Sequence, residues 1–177
     1  MSKIRFTEPN REILARRDSI INDLTRLVDP AGLITSTDEC RAYETDALTA
    51  YRKMPLAVVL PKTTEEVSAV LKYCHDTGVK VVPRGAGTSL AGGAIPSEDA
   101  VVLGLSKMNR VLAVNYDDRF IRVEAGVTNL SVTAVVAENG FFYAPDPSSQ
   151  LACTIGGNIA NNSGGAQCLK YGVTTNN

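Results

Sequence analysis

Residues 56–82 constrain this chain more than any other stretch. Leu56 to Leu60 is an unbroken apolar run closed by Pro61, and Val79 to Val82 is a second such run. Between them Thr63 and Glu66 have the spacing of a capping box, in which two side chains satisfy free amides at a helix start. Val67, Val70, Leu71 and Cys74 follow at i, i+3, i+4 and i+7, the period of a helix with one apolar face, and Gly78 stands where a left-handed residue would end it. Strand, helix and strand at this spacing predict a βαβ unit with two parallel strands. Open α/β sheets bind ligands at the carboxyl ends of their strands, and a glycine cluster begins at that point. Of the 14 glycines, five fall in 85–104 and five in 156–172, two stretches where backbone rather than side chain forms the working surface.

Upstream, Ile13, Leu14, Ile20, Ile21, Leu24, Leu27 and Val28 fall on one stripe and predict a packing helix over 9–28, ended by Asp29-Pro30. Downstream, Ala100 to Leu105, Val111 to Asn115 and Phe120 to Ala125 read as strands, and a helix runs from Thr128-Asn129 to Gly140. From Phe141 the chain reads as mostly irregular, rich in Pro, Ser, Gly and Asn. A stretch that long inside a compact domain is a functional loop or disordered, and small and amide side chains suit the first. The 177 residues suffice for one domain or two small lobes.

Composition narrows the chemistry. With 18 Lys+Arg against 19 Asp+Glu the net charge is −1, without the excess of cations that nucleic-acid binding draws on. No apolar run approaches the roughly 18 residues of a membrane span. Lys3, Arg5, Arg11, Arg16 and Arg17 are interleaved with Glu8, Glu12 and Asp18, which fits neither a secretory signal nor a transit peptide. Cys40, Cys74, Cys153 and Cys168 form no CxxC pair, as expected of a reducing cytoplasm. His75 is the one histidine, so neither a zinc set of ordinary spacing nor a His-based triad can be assembled, and no metal ligand or catalytic residue is assigned.

The first glycine cluster is Pro83-Arg84-Gly85-Ala86-Gly87-Thr88-Ser89-Leu90-Ala91-Gly92-Gly93. It is not a Rossmann fingerprint, since Leu90 stands where the third glycine belongs, nor a P-loop, since Gly92 is followed by Gly93-Ala94. Pro96 opposes a helix after it, leaving strand, glycine loop, strand. Successive N–H groups of such a loop can form an anion-binding concavity, to which Thr88 and Ser89 add hydroxyls; a tight turn between strands is the other reading. The second cluster runs from Ala144-Pro145-Asp146-Pro147-Ser148-Ser149 to Thr154-Ile155-Gly156-Gly157 and on through Asn158, Asn161 and Asn162 to Gly164-Gly165. Amide groups beside bare backbone suit the edge of a flat heterocycle and its phosphates, although a structural loop would also fit. Tyr171 either stacks on a ring or is a partly buried structural tyrosine.

Several of these stretches carry a family resemblance. Tyr43-Glu44-Thr45-Asp46, Ala50-Tyr51-Arg52, Val58-Val59-Leu60-Pro61-Lys62, Arg84-Gly85-Ala86-Gly87-Thr88, Pro145-Asp146-Pro147-Ser148-Ser149-Gln150, Ile155-Gly156-Gly157-Asn158 and Cys168-Leu169-Lys170-Tyr171-Gly172 resemble the FAD-binding lobe of FAD-linked 2-hydroxyacid oxidoreductases. That family includes glycolate oxidase flavin subunits and D-lactate dehydrogenases, and the resemblance runs from about residue 40 to the end. It implies an α+β fold of the vanillyl-alcohol-oxidase (PCMH) type, with two small lobes holding FAD between them. Residues 1–50 would be a helical lead-in and 51–177 the FAD-binding domain. By the same resemblance Pro83, Arg84, Gly85, Ala86, Gly87, Thr88 and Ser89 bind the FAD pyrophosphate. Asp146, Pro147, Thr154, Gly156, Gly157, Asn162 and Gly165 line its other side, and Gly92 and Tyr171 complete the set.

Two departures accompany the resemblance. Gln167 stands where close relatives carry His, and no Cys, His or Tyr anchor for covalent flavin is evident, so the expected FAD is noncovalent. Family members also continue past the point matching Asn177 into a cap domain that binds the 2-hydroxy acid and supplies the proton-abstracting base. The chain is therefore expected to be a C-terminally truncated, by itself inactive portion of an enzyme passing hydride from a substrate of the glycolate or D-lactate class to FAD. Iron–sulfur partner subunits, and a cytoplasmic location with membrane association only through partners, are further implications of the resemblance. The alternatives are a non-catalytic nucleotide-binding or assembly module and a flavin reductase of cell-wall sugar-nucleotide synthesis.

Overall fold

A computed structural model describes residues 6–177; Lys3 and Arg5 lie outside the described residues. Helices α1 (Arg11–Ala15) and α2 (Arg17–Leu24) stand where one helix over 9–28 was expected. At Arg16 the helix tightens, the Arg16 amide donating to the Ile13 carbonyl at 3.1 Å. Asn10 holds α1 in place from outside: its side chain accepts from Glu12 N at 2.9 Å while its own N–H donates to Asp99 Oδ2 at 2.9 Å. The break lets Ile13 on α1 and Ile20 and Leu24 on α2 all reach the core, and Leu27 and Val28 join it from the turn beyond. A two-residue strand, β1 (Leu33–Ile34), and a one-turn helix capped by Ser36, α3 (Thr37–Cys40), follow. Both are too short to leave a periodic signal.

The predicted βαβ unit is present as β2 (Ala57–Val59), α4 (Thr64–Thr77) and β3 (Lys80–Arg84). Thr63 Oγ1 accepts from Glu66 N at 3.2 Å, and Gly78 ends α4 at φ 73°. The Glu66 carboxylate takes the amide of Lys62 at 2.6 Å, one residue upstream of the box position. Leu71 departs from the expected stripe and is exposed; α2 lies against the other side of α4, so Tyr73 packs inward and its hydroxyl donates to Asp23 Oδ2 at 3.0 Å.

The two strands of the unit are parallel but not neighbours. β4 (Ala100–Gly104) lies between them in a sheet ordered β1-β2-β4-β3, parallel to both, with β1 antiparallel at one edge. Every residue of β2 and β4 is buried, as strands covered on both faces must be. Their side chains alternate. Ala57, Val59, Val101 and Leu103 meet α1, α2 and α4, while Val58 and Val102 meet Cys40, Ile34 and Tyr43. At roughly 1.5–3 kcal/mol for each fully buried aliphatic side chain, these two layers fix where β3 ends and the first glycine cluster begins.

A separate antiparallel hairpin, β5 (Val111–Asn115) and β6 (Phe120–Val123), precedes α5 (Asn129–Val136), whose last turn closes on Gly140 at φ 77°. The stretch after Phe141 is mostly irregular, as expected, but two short helices interrupt it. These are α6 (Ile155–Asn161) and α7 (Cys168–Tyr171). Glycine and asparagine are poor helix formers, so composition hides α6. Its caps make it: Thr154 Oγ1 accepts from Gly157 N at 3.2 Å, and Asn162 ends it at φ 47°.

Candidate functional site

β3 delivers the first wall of the site. Its pairing with β4 runs to Arg84↔Gly104, and the chain then leaves the sheet through residues 85–93, with Gly87 at φ 72° and Gly92 at φ 79°. Arg84 is buried beneath this loop. Its Nη1 donates to Thr45 O at 2.7 Å and Ala94 O at 3.3 Å, and its guanidinium carbon lies 5.5 Å from the Tyr43 ring centre. Burial lowers the Arg84 pKa, and Tyr43 and Asp46 oppose that shift. The guanidinium lies so close to Gly87 that a β-carbon there would overlap it.

The second wall comes from the end of β6 and from α6. Ile155 N donates to Val127 O at 2.8 Å and Gly156 N to Ala125 O at 2.9 Å, laying the first turn of α6 against the chain that leaves the hairpin. Upstream, the buried Asn129 side chain donates to Pro145 O at 3.0 Å and the Asn129 amide to Cys153 O at 3.0 Å, which fixes the lead-in to α6. Both approaches demand glycine. A β-carbon on Gly156 would sit 2.9 Å from Ala125 Cβ, and one on Gly85 would sit 2.5 Å from Thr154 Oγ1, where the two walls touch.

Between the walls lies a cleft of about 470 Å³. Ten of the residues expected from sequence line it: the run Pro83 to Ser89, with Thr154, Gly156 and Gly157. The others stand outside it for identifiable reasons. Gly92 turns its amide to Asp46 Oδ2 at 2.8 Å, and its neighbour Gly93 faces the cleft instead. Asp146 accepts from Gln167 N at 3.0 Å, and its carbonyl occupies the space a side chain on Gly165 would need. The Pro147 carbonyl takes the amide of Gln150 at 2.8 Å within its own turn. Asn162 holds the chain end, accepting from Thr175 N at 3.0 Å, and Tyr171 packs edge-on to Phe142 at 5.7 Å with Lys170 Nζ over its ring.

Three lining features went unassigned in the sequence. Asn158, only 1% exposed, has a side-chain Nδ2 with no acceptor among the described residues. Cys153 adds a buried thiol and Ser149 a hydroxyl. Asn158 belongs to the Ile155-Gly156-Gly157-Asn158 motif, but its isolation arises from packing and leaves no local trace. Arg84 is the one charged side chain lining the cleft among the described residues. His75 is exposed at the last turn of α4 and is not part of the lining. The chemistry on offer is therefore that of a holder. Bare amides, hydroxyls, one cation and an unpaired amide donor suit a polar, anionic, partly flat ligand.

Comparison with known proteins agrees with that description. A family model described as "FAD binding domain" matches residues 55–177. The chain is 48% identical over 161 residues to the glycolate oxidase subunit GlcD of Escherichia coli (strain K12), a match covering 91% of this chain and 32% of that one. It is 38% identical over 159 residues to the D-lactate dehydrogenase of Archaeoglobus fulgidus, covering 89% of this chain and 35% of the relative. The chain thus spans about a third of the length of these relatives. Among solved structures, p-cresol methylhydroxylase with substrate bound superposes with a TM-score of 0.72 at 20% identity, over 88% of this chain and 30% of that one. The likeness is one of fold, and it bears out the architecture expected from sequence. No helix among the described residues is long and apolar enough to cross a membrane.

Proposed function

The chain belongs to the FAD binding domain family, and on that premise we propose that it is the cofactor-holding portion of a flavin-linked 2-hydroxyacid oxidoreductase of the glycolate or D-lactate class. The observation that carries the reading is the meeting of the two glycine clusters across one cleft that holds a single cation and an unpaired amide donor. FAD fits these residues. Its pyrophosphate needs backbone amides and positive charge, which the 85–89 loop and Arg84 supply. Its ring needs edge donors, and Asn158, which lines the cleft and whose Nδ2 has no partner among the described residues, is the candidate. The backbone around Gly85, Gly87 and Gly156 has no room for β-carbons, so the walls keep a fixed, close approach.

When bound, FAD would supply the redox chemistry, that of a hydride acceptor. The chain's own residues bind and orient. The loop amides and Arg84 hold the phosphates, Thr88 and Ser89 add hydroxyl donors, and α6 sets the opposite wall. The reading includes noncovalent FAD, residues 51–177 as the binding unit with 1–50 as its lead-in, and a small 2-hydroxy acid as substrate of the whole enzyme. It also carries iron–sulfur partner subunits and a cytoplasmic location.

A flavin fluorescence titration of the purified chain tests it. Wild type quenches added FAD saturably and releases it unmodified on acid denaturation. Gly87→Val combines a strained left-handed position with overlap on Arg84 and loses FAD retention, while Cys74→Ala, in the core away from the cleft, keeps it. Equal FAD affinity in Gly87→Val and wild type would remove the loop from the site.

A further inference from the structure

We propose that Asp46 is a positioning residue for the cofactor loop, setting the geometry of the 85–93 amides and of Arg84 without itself reaching the cleft. The inference deepens the FAD reading and rests on it. No residue of 43–49 lines the cleft, yet three consecutive residues of that segment hold the loop at its start, middle and end. Thr45 O takes Arg84 Nη1 at 2.7 Å, Ala47 N donates to Ser89 O at 3.1 Å, and Asp46 Oδ2 takes Gly92 N at 2.8 Å. The other Asp46 oxygen accepts from Leu48 N at 3.1 Å, so this carboxylate, 3% exposed, joins the turn of its own segment to the far end of the glycine loop.

The loop needs such an anchor. Gly87 and Gly92 are both left-handed, and glycines have many other conformations to visit once untied. A ligand that must order a loop loses affinity in proportion to the fraction of time the loop is unready. Arg84 needs the anchor too. Among the described residues only its Nη1 finds acceptors, and the rest of the guanidinium lies against Gly87 with Tyr43 and Asp46 nearby. A carboxylate accepts on both oxygens, whereas an amide accepts on one atom and donates from the other. Asp46→Asn therefore unties one of the two main-chain donors with almost no change of shape.

The test measures FAD affinity of the 177-residue chain by flavin fluorescence, together with the urea midpoint of the flavin-free chain. Asp46→Asn weakens FAD binding by about tenfold or more, the loss that goes with one charge-assisted hydrogen bond. Asp99→Asn is the matched control, an equally buried carboxylate that also accepts a main-chain amide but is remote from the cleft; it lowers the urea midpoint and leaves FAD affinity within about twofold of wild type. Because Asp46 and Arg84 act on one loop, the variant carrying both Asp46→Asn and Arg84→Gln binds FAD about as well as the weaker single variant rather than showing the product of the two losses. Asp46→Glu, which keeps the charge and both acceptor oxygens but displaces them by a methylene, is the second probe and decides the matter if Asp46→Asn does not fold; it too weakens FAD binding without adding to Arg84→Gln. FAD losses that merely follow the urea midpoint across Asp46→Asn and Asp99→Asn, or effects that add with Arg84→Gln, overturn the proposal. A wild-type chain that binds FAD beside an Asp46→Asn chain that binds it equally overturns the proposal alone, whereas a wild-type chain that binds no FAD overturns the underlying reading and the proposal with it.

Discussion

At the scale of single residues, the buried carboxylates of this chain act as fasteners, and Asp99 shows what one contributes. It is 1% exposed and accepts from Lys80 Nζ at 2.8 Å, Ser97 Oγ at 2.6 Å and Asn10 N at 2.9 Å, joining the N-terminal segment to β3 and β4. Burial by itself would raise its pKa, but the hydrogen bonds from Lys80, Ser97 and Asn10 outweigh it and bring it to about 2, below the ordinary 3.8. A carboxyl depressed on folding contributes stability above its unfolded value and loses it as pH falls through the folded one. The contribution is thus complete above pH 4 and fades between pH 4 and pH 2. Its size is at most about 2 kcal/mol, since Lys80 is half exposed and partly screened. Urea unfolding across that pH range should show the wild-type midpoint falling steeply. Asp99→Asn should start about 1–3 kcal/mol lower at pH 7 and fall less. Parallel curves for the two proteins would mean that Asp99 does not couple protons to folding.

At the scale of elements, α6 is both the part of the site least visible in the sequence and the part most sensitive to volume. Gly156 in its first turn has Ala125 Cβ and O within about 3 Å of where its own β-carbon would be, so Gly156→Ala should cost about 1–3 kcal/mol of overpacking. It should also reduce the rise in melting temperature that saturating FAD gives wild type, because a ligand stabilises the native state according to its affinity. Cys74→Ala, in the core and away from the cleft, should lower the melting temperature but leave the FAD-induced rise intact. A full FAD-induced shift in Gly156→Ala would place the cofactor elsewhere. The contrast between α4 and α6 shows what the sequence could convey. α4 announces itself through Thr63, Gly78 and an apolar period, all local signals, and only the outward turn of Leu71 escaped. β4 inserts between β2 and β3, which no local pattern encodes because strand order is decided by packing. α6 is built from glycines and asparagines whose helical state depends on Thr154 and on contacts with Ala125 and Val127. The site divides in the same way. Gly85, Gly87, Gly156 and Gly157 were legible because glycine itself marks close backbone approach. Asn162, Gly165 and Tyr171 carry the same composition, but contacts with Thr175, Asp146 and Phe142 hold them outside the cleft lining, and the isolation of Asn158 could be seen only once its surroundings were in place.

At the scale of the whole molecule, the cleft is equipped to hold a cofactor and poorly equipped to run a dehydrogenation. Removing hydride from a 2-hydroxy acid requires a base within hydrogen-bond reach of the hydroxyl proton, and groups that fix the substrate carboxylate so that the reacting carbon is aligned. Among the described residues the cleft is lined by no histidine, lysine, aspartate or glutamate, and its one cation, Arg84, is already assigned to the cofactor's phosphates. His75 is not among the lining residues. The 177-residue chain should therefore bind FAD without reducing it. With FAD bound under anaerobic conditions, addition of glycolate or D-lactate should leave the flavin absorbance unbleached, and an artificial electron acceptor should draw no turnover, while dithionite bleaches the same sample and shows the flavin to be accessible and intact. Sustained turnover that disappears on changing one residue of the cleft, such as Cys153→Ala or Asn158→Ala, would show that these walls carry a proton-abstracting group that their side-chain chemistry does not reveal.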